Sequence, residues 1–141
     1  MFLSLNSQLL RLMMAAALFF TISAPLAQAQ TTAFRQAVAE AASRDEELAT
    51  FYREREFQGI WSDQRDAGRR NALMAAFADA AQHGLPAARY DANALMAKMR
   101  AATTPAQQGA MEVELSRLFM QYARDIQTGI LTPSSVVAEI K

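Results

Sequence analysis

Phe51-Tyr52-Arg53-Glu54-Arg55-Glu56-Phe57-Gln58-Gly59-Ile60-Trp61 constrains this chain more than any other stretch: a helical pattern stops, a glycine follows, and the sole tryptophan comes at once. Leu48, Phe51 and Tyr52 fall at i, i+3 and i+4, one face of a 3.6-residue period, while Arg53, Glu54 and Glu56 point elsewhere. Phe57, Ile60 and Trp61 then place three large apolar groups in a short non-periodic segment. A connection that apolar is expected to fold back under the helices, with Gly59 supplying the sharp turn. The stretch reads as the hub of a small helical core rather than as a ligand site.

Helical punctuation continues on both sides. Thr31 to Ala42 carries Phe34, Ala37, Val38 and Ala41 on one face, and Ser43-Arg44-Asp45-Glu46 fits a capping box opening a second helix to about Glu56. The acidic run Asp45-Glu46-Glu47 suits the positive end of that helix. After the polar segment Ser62 to Arg70, a third helix shows Leu73, Phe77, Ala80 and Ala81, with Met74 at the edge of the stripe. His83-Gly84-Leu85-Pro86 then forms a stop signal: a left-handed glycine, an apolar residue behind it, and a proline. Asp91 caps a short fourth helix with Leu95, Met96 and Met99.

Thr104-Pro105 opens the longest helix, to about Thr128, with Gly129 behind it. Its main stripe is Met111, Leu115, Leu118, Phe119, Tyr122 and Ile126, and Gly109 is expected to fray or bend its start. Val113 and Met120 lie roughly opposite that stripe at 100° per residue. They are either a docking face for something beyond this core or scattered apolar surface residues. Thr132-Pro133 repeats the cap-then-proline signal and starts a last helix with Val136, Val137 and Ile140, which reads as clipped at its C-terminal end.

The front of the chain has a different character. One basic residue, Arg11, precedes the uncharged run Leu12 to Ile22, and Pro25 is followed by Ala27-Gln28-Ala29. That is the layout of a secretory signal peptide cleaved after Ala29, leaving residues 30–141 as one domain. The run is shorter than the ~20 apolar residues of a spanning helix, so no stable membrane span is expected after cleavage. The near-neutral balance of 14 basic and 14 acidic residues leaves no footprint for nucleic acid. Cysteine is absent, which excludes disulfides and a thiol nucleophile.

Catalytic equipment is sparse. His83 is the only histidine, and its i, i+4 partner Asp79 makes half a metal site at best, read as a helix-end interaction. No serine lies in a glycine elbow, and the five glycines form no phosphate loop. Glu112 and Glu114 stand on different helix faces. Arg53, Arg55, Arg65, Arg69 and Arg70, interleaved with acids, read as a solvated, ion-paired surface, with binding of an anionic saccharide or peptide as the alternative. No cofactor, metal or catalytic residue is assigned. The expectation is an all-α, compact bundle of five to six short helices behind a signal peptide.

Several motifs together resemble a known family. Phe51-Tyr52-x-x-Arg55-x-Phe57-x-x-Ile60-Trp61, Ala80-Ala81-x-His83-Gly84-Leu85, Tyr90, Glu114-Leu115-x-x-x-Phe119-x-x-Tyr122-Ala123-x-Asp125 and Gly129-x-Leu131-x-Pro133 are similar to the N-terminal scaffold domain of periplasmic murein L,D-transpeptidases. In that family the scaffold packs around a separate catalytic domain, whose cysteine and histidine form 3→3 cross-links in peptidoglycan. The resemblance implies a packing role for Tyr52, Trp61, His83, Gly84, Leu85 and Tyr90, a transpeptidase catalytic domain as partner, a periplasmic location, and no enzymatic activity in this chain. The alternative is a self-standing periplasmic helical module that binds peptidoglycan or a protein.

Overall fold

The computed structural model describes residues 23–129, with side chains from residue 26. Two compact units divide the chain, Met1–Thr32 and Ala33–Lys141. Within the first, the described residues are helical, and Thr31 and Thr32 donate their hydroxyls to the carbonyls of Ala27 and Gln28, at 2.9 Å each. Most of the expected leader, and the expected last helix after Thr132, lie outside the described residues.

The described residues form five α-helices and no strand: α1 (Ser23–Ala42), α2 (Glu46–Glu54), α3 (Ala67–Ala78), α4 (Ala92–Ala101) and α5 (Pro105–Thr128), with 3₁₀ turns at Gln64–Asp66 and Ala80–His83. The all-helical expectation holds. α1 is longer than its apolar face indicated, starting at Ser23 instead of Thr31. The cap of α2 is also displaced. Asp45, with extended backbone, accepts from the N–H groups of Glu47 and Leu48, while Ser43 donates to the Glu40 carbonyl at the end of α1. Asp45 alone thus serves two of the orphan donors of the first turn, and Ser43 is engaged by the preceding helix.

α3 passes into a 3₁₀ turn closed as the stop signal predicts. Gly84 is left-handed at φ 74°, its N–H bonds Ala81, and Leu85 N–H reaches back to Ala80, a Schellman arrangement with Leu85 buried. α5 carries the capping box in full, Thr104 and Gln107 serving each other's backbone.

Two apolar clusters flank α5. One gathers Trp61, Leu73, Phe77, Leu85, Tyr90, Leu95, Met111 and Leu115. The other holds Val38, Ala42, Leu48, Tyr52 and Val113, with Met120 packed against it. The Val113–Met120 face is therefore covered by this chain's own α1 and α2: Val113 is fully buried, Met120 half-buried, and the external partner envisaged for that face is displaced by internal packing. With core on both sides, α5 is the central helix of the bundle. Phe119 and Ile126, taken as stripe residues, stay 45% and 44% exposed, and Phe51 sits over Tyr52 edge-on at the surface.

Gly109 does not weaken α5. A Cβ there would lie 2.5 Å from the Phe34 carbonyl oxygen and 2.9 Å from Ala37 Cβ, so the missing side chain is what lets α1 cross α5 at backbone distance.

Candidate functional site

Between the two clusters α5 presents Glu112 and Ser116, one turn apart and both buried. The connection from α2 to α3 crosses directly over them. α2 ends at Glu54, and the backbone then takes left-handed angles at Glu56 (φ 53°) and Phe57 (φ 58°). The sharp reversal expected at Gly59 thus falls on two residues with side chains. Gly59 serves by its size, since a Cβ would sit 2.9 Å from Glu112 Oε2.

The reversal aims three successive N–H groups at the Glu112 carboxylate. Ile60 N–H donates to Oε1 at 2.7 Å; Trp61 N–H and Ser62 N–H donate to Oε2 at 3.1 and 3.0 Å. Ser62 adds its hydroxyl to Oε2 at 2.6 Å, and Tyr52 gives its phenol proton to Oε1 at 2.9 Å. Five donors fill the roughly four lone-pair directions a carboxylate offers. Among the described residues no basic side chain pairs with Glu112, so oriented peptide dipoles carry the compensation.

The carbonyls of the same segment turn the other way. Arg69 donates to the Ile60 carbonyl at 2.6 Å, and Arg70 donates to the carbonyls of Trp61 and Asp63. The N–H groups of Ile60, Trp61 and Ser62 thus meet a carboxylate, and the carbonyls of Ile60, Trp61 and Asp63 meet guanidinium groups, in place of sheet partners. Arg65 binds Asp63, at 3.0 Å, and Arg69 also meets Asp66, so these three arginines are structural ties.

A second chain of protons runs alongside. Trp61 Nε1–H donates to Ser116 Oγ at 2.8 Å, and Ser116 Oγ lies 2.6 Å from Tyr52 Oη. Because the phenol proton goes to Glu112, the serine hydroxyl is the donor in that contact, giving the order Trp61, Ser116, Tyr52, Glu112. Burial, and after it the charge of Glu112, holds the Tyr52 phenol well above the usual range, so it stays a donor.

Of the residues singled out in the sequence, Tyr52 and Trp61 meet in this network, while Leu85 and Tyr90 belong to the apolar cluster beside it. Tyr90 donates to Asp125 at 2.6 Å, and Arg89 donates to the same oxygen at 2.9 Å, which fastens the turn before α4 to the end of α5. Burial and the Asp125 bond raise the Tyr90 phenol to about 12; the same bond and Arg89 hold the Asp125 carboxyl below its ordinary value. His83 and Gly84 lie exposed at the turn. Asp79 accepts from Gln82 at 3.1 Å, not from His83. Among the described residues, no group of three or more metal-binding side chains is assembled.

Glu112 and Ser116 were not anticipated. The available signal was that Met111 and Val113 are apolar on opposite sides of one helix, which leaves the sector between them no route to solvent.

A groove of about 630 Å³ runs between α1 and α5, floored by alanines such as Ala37 and Ala110 and edged by Glu40, Arg44, Glu114 and Arg117. Its charges balance. A family model described as a scaffold domain matches residues 46–141. No curated protein and no solved structure matches the chain.

Proposed function

Because the chain belongs to the family of N-terminal scaffold domains of L,D-transpeptidases, we propose that it acts by supporting a transpeptidase catalytic domain in peptidoglycan cross-linking, and not through chemistry of its own. The reading places it in the periplasm, delivered by a leader ending at Ala29, with the scaffold occupying residues 30–141. The observation that carries it, beside the family match, is how the buried polar groups are used. Glu112 takes four donors from one crossing segment and a fifth from Tyr52, and every buried side-chain nitrogen or oxygen among the described residues has a partner. A carboxylate whose oxygens are all taken up in this way by the chain's own donors is a structural anchor.

The test is reconstitution. The purified protein, incubated with muropeptides, is expected to form no 3→3 dimers; mixed with a catalytic domain of an L,D-transpeptidase from the same cell, it is expected to co-elute and to raise that domain's unfolding midpoint. Cross-linking or cleavage by the protein alone would overturn the reading, as would failure to bind the catalytic domain.

A further inference from the structure

A pocket of about 260 Å³ opens where the crossing segment, the end of α4 and the first half of α5 meet. Trp61, Met99, Met111 and Leu115 give it apolar walls, while Arg70 and Arg100 bring two guanidinium groups to it. Among the described residues no aspartate or glutamate lines it. The two arginines differ in how they are held. Arg70 donates through Nη1 to the carbonyls of Trp61 and Asp63, which fixes the guanidinium and leaves the Nε and Nη2 hydrogens to other acceptors. Arg100 shares the last turn of α4 with Lys98; Lys98 pairs with Glu114, whereas Arg100 meets no acidic side chain among the described residues. The Glu112 carboxylate lies on the N–H side of the crossing segment, where five donors offset its charge.

We propose that this pocket binds a small carboxylate with an apolar body, Arg100 and Arg70 taking the carboxylate and the tryptophan and methionine walls taking the body. Guanidinium and carboxylate match as planar, charge-assisted partners, and a phosphate or sulfate would leave the apolar walls unused. Methionine side chains adapt to irregular apolar shapes, so the walls select for size and polarity more than for one outline. At about 260 Å³ the pocket falls below the usual range of roughly 300–1,000 Å³ for whole-ligand sites. It therefore suits the terminal residue of a peptide, or a free acid of similar size. The inference holds whether or not a transpeptidase is the partner.

The chain's single tryptophan lies in the pocket wall and reports on its occupation. Titration of the full chain with N-acetyl-L-leucine is expected to change Trp61 emission saturably in the millimolar range, the strength of a ligand of about a dozen heavy atoms. Backbone amide shifts should move at Ser62, Arg100 and Gln108, which line the pocket, and not at the far side of α5. N-acetyl-L-leucinamide, which lacks the charge, should bind about tenfold more weakly or worse, and Arg100→Gln should weaken the acid to a similar degree. Arg100 is exposed, so that variant is expected to keep the parent's unfolding midpoint. Hexanoate in place of N-acetyl-L-leucine separates the two sources: tighter binding of hexanoate assigns the pocket to free acids, tighter binding of N-acetyl-L-leucine to peptide ends. No saturation by about 50 mM of either acid would overturn the proposal. So would equal binding of the amide, binding unchanged in Arg100→Gln, or sodium sulfate binding as tightly as the acids, the last leaving only a general anion site.

Discussion

Ser62 gives both its backbone N–H and its hydroxyl to one oxygen of Glu112, at 3.0 and 2.6 Å, across 50 residues of sequence. Together with Ile60 and Trp61 it makes the carboxylate the fixed point onto which an otherwise irregular segment folds. Replacing Glu112 with glutamine keeps the shape but turns one oxygen into an NH₂ group facing N–H donors. The expected loss for Glu112→Gln is about 2–3 kcal/mol, the range of a charge-assisted bond lost and a buried donor orphaned. Glu112→Leu should cost more, because it strands all five donors. Urea unfolding midpoints check both, and a Glu112→Gln protein as stable as the parent would refute the role given to the carboxylate.

The helix boundaries were legible where chemistry is local. Thr104-Pro105, Asp91 and His83-Gly84-Leu85-Pro86 each specify a cap within a few residues, and each forms as expected. What was not legible depends on partners distant in sequence. Glu112 gains its meaning only when residues 60–62 arrive over it. Val113 and Met120 resembled a free face because the helices that cover them lie more than 60 residues earlier. Gly109 reads locally as a helix weakener and acts as a contact surface once α1 is present. The two-sided burial of α5 decided all three.

Glycine substitutions separate close approach from chain flexibility. Gly68 in α3 has no atom within 4 Å of an added Cβ, so Gly68→Ala should stabilise by about 0.4–1 kcal/mol through a less disordered unfolded chain. Gly109→Ala puts a methyl group 2.5 Å from the Phe34 carbonyl oxygen and should destabilise by about 1–3 kcal/mol as α1 is forced away. Opposite signs in thermal unfolding are the check.

Tyr90 and Asp125 give stability a pH plateau with two edges. The Tyr90 phenol is raised to about 12 in the folded protein, so its contribution is complete below the ordinary value of 10.0 and is lost as pH rises through 12. The Asp125 carboxyl is lowered, so its contribution is complete above the ordinary 3.8 and is lost as pH falls through the depressed value. Tyr90→Phe removes the shared hydrogen bond. Its unfolding midpoint should fall below the parent's near neutrality, and the gap between the two should close as pH rises past about 12. A gap that persists unchanged there would mean that Tyr90 contributes by packing alone.

Trp61 combines two contributions that can be measured apart. Its ring is 3% exposed within the larger cluster, and its Nε1–H ends on Ser116 Oγ at 2.8 Å. Trp61→Phe keeps most of the ring and leaves Ser116 without that donor, so the cost from the lost bond should be about 0.5–1.5 kcal/mol, with a further share from lost volume. Trp61→Ala also opens a cavity and should cost ~3–5 kcal/mol. Ser116→Ala in the parent leaves the indole in place but removes both its acceptor and the bond to Tyr52 Oη, so only the double variant separates the Trp61 bond from the rest. If Trp61→Phe and Ser116→Ala act on one interaction, the double variant should cost less than the two single changes added together. Full additivity would place the hydrogen-bond chain outside the stabilising core and leave the indole acting only as an apolar body.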